Sequence, residues 1–158
     1  MADARFEDAG EGPLYLAALE ADDLTIIASL VQDAVFPITE MTFQPKHRRF
    51  ALLVNRFRWE DRARAERAGR PYERVRAILV VEHVLKVQTQ GIDRREGDLV
   101  LSLLDLAFET GAEGAGRVLL TLAGDGAIAL EVEALEVTLK DVTRPYLAPS
   151  RKAPDHPE

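Results

Sequence analysis

Three histidines carry the side chains best suited to proton transfer or metal binding near neutral pH. They stand far apart in the chain, at His47, His83 and His156. No HExxH pair and no calcium-loop pattern accompanies them, so neither a metal nor a cofactor is expected. On an unbroken strand His83 shares a face with Val81, Leu85 and Val87, where an apolar pocket could make it a general base. The plainer reading puts it on a β-bend, exposed or hydrogen-bonded to backbone. Glu82 is not its expected partner, because adjacent strand residues point to opposite faces. A small enzyme centred on His83 or His47 is the third of three functional readings.

Other catalytic patterns are weaker still. Ser29, Ser102 and Ser150 fall in a helix, a strand and the tail, and none occupies a GxSxG elbow. The acidic pair Asp22/Asp23 fits the start of a helix, where negative charge complements the dipole. Glu131 and Glu133 fit the solvent side of an alternating strand. Gly111, Gly114 and Gly116 run G-x-x-G-x-G into a strand. That order offers a pyrophosphate no helix N-terminus, and Glu113 would repel it. No catalytic residue is assigned.

What stands out is where the charges lie. The chain of 158 residues has 20 Lys+Arg and 27 Asp+Glu, a net charge of −7. Residues 46–76 hold 11 basic and 4 acidic residues, a local +7, and the remainder carries −14. Phe50, Phe57, Trp59 and Tyr72 lie within the basic segment. Three uses compete. The segment could be neutralised by acidic faces of its own fold and by helical pairs such as Glu60/Arg64 and Arg62/Glu66. It could meet an acidic surface on a protein partner or on a second copy, a role that favours arginine over lysine. It could bind RNA or another anionic ligand by phosphate contact and stacking, which the overall negative field opposes. The candidate contact residues are Arg48, Arg49, Arg56, Arg58, Trp59, Arg62, Arg64 and Arg67.

The elements that must carry these residues follow from periodicity. Zero cysteine excludes a disulfide framework and thiolate chemistry. The acidic opening lacks an apolar run, and no stretch approaches the roughly 18 apolar residues of a membrane span. A cytoplasmic protein without membrane contact is expected. Residues 1–12 read as a flexible acidic N-terminus, 13–142 as a single domain, and 143–158, with four of the eight prolines, as a flexible tail.

Leu14–Leu19 reads as a first strand. Leu24, Ile27, Ala28, Val31, Ala34 and Val35 recur at helical spacing, predicting a helix over about 22–35 that Pro37 ends. Ile38–Phe43 and Phe50–Trp59 read as strands around a QPKH turn. Residues 60–70 read as a polar helical turn stopped by Gly69. Val75–Gln90 is too long for one strand, so a bend is expected near Glu82–His83. Leu99–Glu109 is another strand, and Val118–Val132 is a hairpin about Gly124–Asp125–Gly126. Residues 134–142 fit a short helix or a strand about equally. The sum predicts an α+β fold: a strongly bent antiparallel sheet or partly closed barrel, with a pleckstrin-homology-like roll as an analogy.

Several segments together carry a resemblance. DDLTIIASLVQDAVF, FQPKHRRFALLVNRFRWE, RVRAILVVEHVLKVQTQGID and LAGDGAIALEVEALEVTLKDV resemble an uncharacterised family of short alphaproteobacterial proteins, filed as a domain of unknown function. The resemblance covers most of residues 14–150 and implies a small cytoplasmic bacterial protein. It implies no catalytic residue, ligand or partner. The expected role is a non-enzymatic binding or assembly domain.

Overall fold

A strand with one apolar face is stable only when a neighbour buries that face. The computed structural model describes residues 12–93 and 95–147. In it β4 (Arg49–Phe57) buries Phe50, Leu52 and Val54 almost completely, while Ala51, Leu53 and Asn55 are half-buried. β5 (Glu73–Val81) runs antiparallel to it, from Phe50 opposite Val81 to Phe57 opposite Arg74. The inward side chains of β5 are Val75, Ala77, Leu79 and Val81, all fully buried.

The other strands are β1 (Tyr15–Ala18), β2 (Val35–Pro37), β3 (Met41–Gln44), β6 (Val84–Gln90), β7 (Val100–Thr110), β8 (Gly116–Leu122), β9 (Ala127–Val132), β10 (Val137–Asp141) and β11 (Tyr146–Leu147). They form a mostly antiparallel sheet in the order β1-β10-β5-β4-β2-β7-β8-β9-β6. β11 pairs with β5 and β3 with β4. The sheet does not close, and among the described residues β1 and β6 end its strand order. β7 joins its two halves, pairing through Val100–Ser102 with β2 and further on with β8. A register shift between Leu103 and Asp105 marks the junction, and such bulges sharpen local twist.

Helix α1 (Ala21–Val31) lays Leu24, Ile27, Leu30 and Val31 into the core. There they join Phe36, Leu52, Leu103, Leu120 and Leu130 in one cluster. Each such side chain contributes about 1.5–3 kcal/mol by leaving water. The helix is shorter than the predicted 22–35. Asp33 turns left-handed (φ 64°), and Leu103 ties down Asp33 and Ala34, accepting from the Asp33 N–H and donating to the Ala34 carbonyl. Ala34 and Val35 therefore continue the apolar spacing in extended chain, and Pro37 is not the terminator. Asp22 and Asp23 occupy the first turn, with Glu20 at the cap position.

Three further expectations change. Ile38–Glu40 is a single 3-10 turn, and only Met41–Gln44 is strand. The alternative of a C-terminal helix at 134–142 does not form. Val137, Leu139 and Asp141 point inward from β10, which lies between β1 and β5, a placement that suits its branched Val137 and Thr138. The sheet also extends beyond residue 142. Thr143 Oγ1 accepts the Arg76 N–H at 3.0 Å, and Tyr146–Leu147 pair with Arg74–Glu73. The expectations for residues 1–11 and 148–158 lie outside the described residues.

The local signals are realised as read. Gly69 takes φ 64° after α2 (Arg62–Ala68) and donates back to the Ala65 and Glu66 carbonyls. The chain breaks between β5 and β6 at Glu82–His83, where His83 adopts φ 61°. β8 and β9 form the hairpin about Gly124–Gly126. Among the described residues no helix is long and apolar enough to cross a membrane.

Candidate functional site

The arginine-rich segment is divided by the pleat of β4. Arg56 is the next inward position after Phe50, Leu52 and Val54, and it is 0% exposed. Asp141 is the corresponding inward position after Val137 and Leu139 on β10. A guanidinium brought this far from water requires partners for all five N–H groups, and it has them. Nε donates to Asp141 Oδ1 at 3.0 Å, and Nη2 donates to Asp141 Oδ2 at 3.0 Å and Glu60 Oε2 at 2.7 Å. Nη1 donates to Glu60 Oε1 at 2.9 Å and the Phe57 carbonyl at 3.4 Å. Burial works against its charge, but the hydrogen bonds to Glu60 and Asp141 outweigh it and hold the guanidinium charged above its ordinary range. Asp141 Oδ2 also accepts the Leu14 N–H at 3.0 Å, pinning the start of β1.

The network continues toward the surface. Arg58, 6% exposed, donates to Glu73 at 2.6 Å and lies 3.7 Å from Asp61. Arg70 grips Asp61 with two hydrogen bonds of 2.7 Å. Those bonds, against the opposing effect of burial, hold the Asp61 carboxyl below its ordinary value. Trp59 donates Nε1–H to the Gln32 carbonyl at 2.9 Å, closing the C-terminal end of α1. Its ring meets Phe57 edge-on with centroids 4.8 Å apart. Arg56 and Arg58, expected as contact residues, are thus buried inside the fold, and Trp59 is half-buried with its N–H engaged by α1.

The remaining candidates are at the surface. Arg48 (φ 50°) closes the β3–β4 turn and pairs with Glu133, while Arg49 pairs with Glu82 at 2.8 Å. Hydrogen bonding to Glu82 raises the Arg49 pKa. On α2 only Ala65 is buried, and Arg62, Arg64 and Arg67 are all exposed. Arg62 bonds Glu66 at 3.1 Å and stands 5.9 Å from the Trp59 ring centroid. Tyr72 donates to the same Glu66 at 2.8 Å; the two donors, Tyr72 first, lower the Glu66 pKa, and the hydrogen bond to Glu66 raises that of Tyr72.

The two described histidines, His47 and His83, do not form a common site. His47 is exposed in the β3–β4 turn. His83, with 44% of its side chain exposed, holds Glu136 at 2.8 Å across the bend, so its carboxylate partner comes from the β9–β10 connection. His156 lies outside the described residues. Among the described residues no group of three or more His, Cys, Asp or Glu is placed to hold a metal ion.

The partners Glu60, Asp61, Glu73, Arg70 and Asp141 were not among the candidate residues. One signal could have found one of them, Asp141. Arg56 and Asp141 each fall on the inward period of an apolar strand, and opposite charges buried on one face must meet.

A family model described as "Protein of unknown function (DUF2948)" matches residues 14–156. No curated protein and no solved structure matches the chain. The chain belongs to the DUF2948 family, proteins of unknown function.

Proposed function

We propose that this domain is a non-enzymatic binding module, and that Arg62, Arg64 and Arg67 of α2 form its contact with an acidic protein surface. The observation that carries the reading is how α2 is mounted. Its one buried side chain, Ala65, is fully enclosed, its C-terminal end is capped by Gly69, and Asp61 at its start is clamped by Arg70. A short helix cannot hold its shape by propensity alone, so the fold supplies the rigidity. Rigid mounting lowers the ordering cost of binding, and guanidinium groups match carboxylates in pairs. The negative charge of the rest of the chain favours a protein partner over a polyanion such as RNA.

The test uses defined probes. A labelled poly-glutamate peptide and a labelled single-stranded RNA are titrated with the wild type and with Arg62→Ala/Arg64→Ala/Arg67→Ala, over a series of salt concentrations. The peptide is expected to bind the wild type with salt-sensitive affinity, about tenfold weaker in the variant, from three rim charges at about 0.2–1 kcal/mol each. Equal peptide affinity in both proteins would refute the assignment. Tighter binding of RNA than of peptide would transfer the surface to nucleic acid.

A further inference from the structure

The outer face of the β7-β8-β9-β6 half carries a pattern that no side chain of the described fold covers. In register across the four strands, one row reads Glu109–Arg117–Glu131–Lys86. The next reads Ala107–Leu119–Ala129–Gln88. These residues are exposed or half-buried, whereas Leu106, Val118, Leu120, Ile128 and Leu130 between them face the core. Arg117 pairs with Glu109 at 2.6 Å, and the side chains of Lys86 and Glu131 have no hydrogen bond or ion pair among the described residues. Ala127 and Ala129 leave a shallow depression of about 370 Å³ bordered by Leu119, Arg117 and Gln88.

We propose that this face binds the same face of a second copy of the chain. Two sheets stack about 10 Å apart with their strands nearly aligned, and a closed pair needs a twofold axis. Two such axes lie in the plane between the sheets. An axis along the strands, over the line between β8 and β9, sets β7 over the partner's β6 and β8 over its β9, row on row. The charged row, alternating −, +, −, +, then meets its own reverse: Glu109 faces the second copy's lysine at position 86, and Arg117 faces its glutamate at 131. In the apolar row Leu119 faces alanine 129, so each copy's leucine seats in the other's depression. The axis at right angles to the strands does the opposite. It lays Glu109 against the second copy's aspartate at 105 and sets leucine 119 on leucine 119 and alanine 129 on alanine 129. Charge and shape choose the same axis independently.

Four strands at about 4.8 Å and five residues at about 3.4 Å give a face of roughly 19 by 17 Å. That is smaller than the roughly 800 Å² per partner of a standard stable interface, so the dimer exchanges with monomer and depends on concentration.

The test is sedimentation velocity over a concentration series of the full chain, with circular dichroism confirming the fold of each variant. Wild type is expected to show a reversible monomer–dimer equilibrium. Lys86→Glu and Glu109→Lys each create two like-charge contacts per dimer and are expected to weaken it about tenfold or more. Mixing the two variants in equal amounts restores both opposite-charge contacts and is expected to recover a dimer of wild-type strength. A wild type that stays monomeric at the highest attainable concentration overturns the proposal. So does a mixture no stronger than its components, or single variants that dimerise as wild type does.

Discussion

Replacing Arg56 by alanine should expose how much of the basic segment belongs to the fold. The substitution removes five hydrogen bonds, takes from Asp141 its bidentate cation, and leaves Glu60 only the longer contact to Arg58 at 3.8 Å, the two carboxylates being 5% and 4% exposed. Stripping one partner from a buried ion pair costs about 3–5 kcal/mol, because the charges left behind cannot regain water. For a domain of this size that loss lowers Tm by roughly 6–20 °C. A lysine at the same position keeps the charge but cannot grip two carboxylates with two parallel bonds each, so Arg56→Lys should fall between wild type and Arg56→Ala. Removing the charges together reverses the logic. In Arg56→Met/Glu60→Met/Asp141→Asn the desolvation penalty disappears, and the asparagine oxygen can still accept the Leu14 N–H, so most of the stability should return. Urea unfolding followed by the fluorescence of Trp59, the single tryptophan, reads all three. A loss below about 1 kcal/mol in Arg56→Ala, the size of an exposed pair, would refute the buried network. A triple variant no more stable than the single one would refute the charge argument.

Other outcomes follow from the same contacts. Asp61 keeps its charge in the native protein below its ordinary value of 3.8, so in acid the unfolded chain takes up that proton first. Its stabilising contribution is complete above the ordinary value and is lost as pH falls from there through the lowered native value, and Asp61→Asn should flatten that part of a stability-against-pH curve. Gly116→Ala places a Cβ 2.2 Å from the Glu109 carbonyl oxygen and 2.8 Å from the Phe108 ring. The β7–β8 pairing must shift, and a loss of about 1–3 kcal/mol by urea unfolding is expected. Trp59→Phe removes the donor to the Gln32 carbonyl and should cost about 1 kcal/mol, measured by circular dichroism because the fluorophore is gone.

What could be read from the sequence was local, and what could not was the pairing of distant residues. The Gly69 stop, the Gly124–Gly126 hairpin and the bend at Glu82–His83 each depend on a few neighbouring residues whose backbone preferences are strong. The end of α1 was misplaced because Ala34 and Val35 keep the helical spacing, while the contact that breaks the helix comes from Leu103, seventy positions away. Within residues 134–142, Val137–Asp141 became strand through partners on both sides, β1 and β5, which no periodicity within the segment announces. The site was legible as a charge imbalance and illegible as an arrangement. Composition counts Arg56 and Arg62 alike, although one lies on the inward face of β4 and the other on the open side of α2.

Peptide affinity and folding stability, measured together on the two sets of arginines, test this division most directly. Arg62→Ala/Arg64→Ala/Arg67→Ala should keep its stability within about 1.5 kcal/mol of wild type, since exposed pairs contribute little, and lose about tenfold in affinity for the poly-glutamate probe. Arg56→Met/Glu60→Met/Asp141→Asn, at a temperature where it is fully folded, should bind that probe as wild type does. Loss of affinity in the second variant with no loss in the first would place the contact on the wrong arginines and contradict the account.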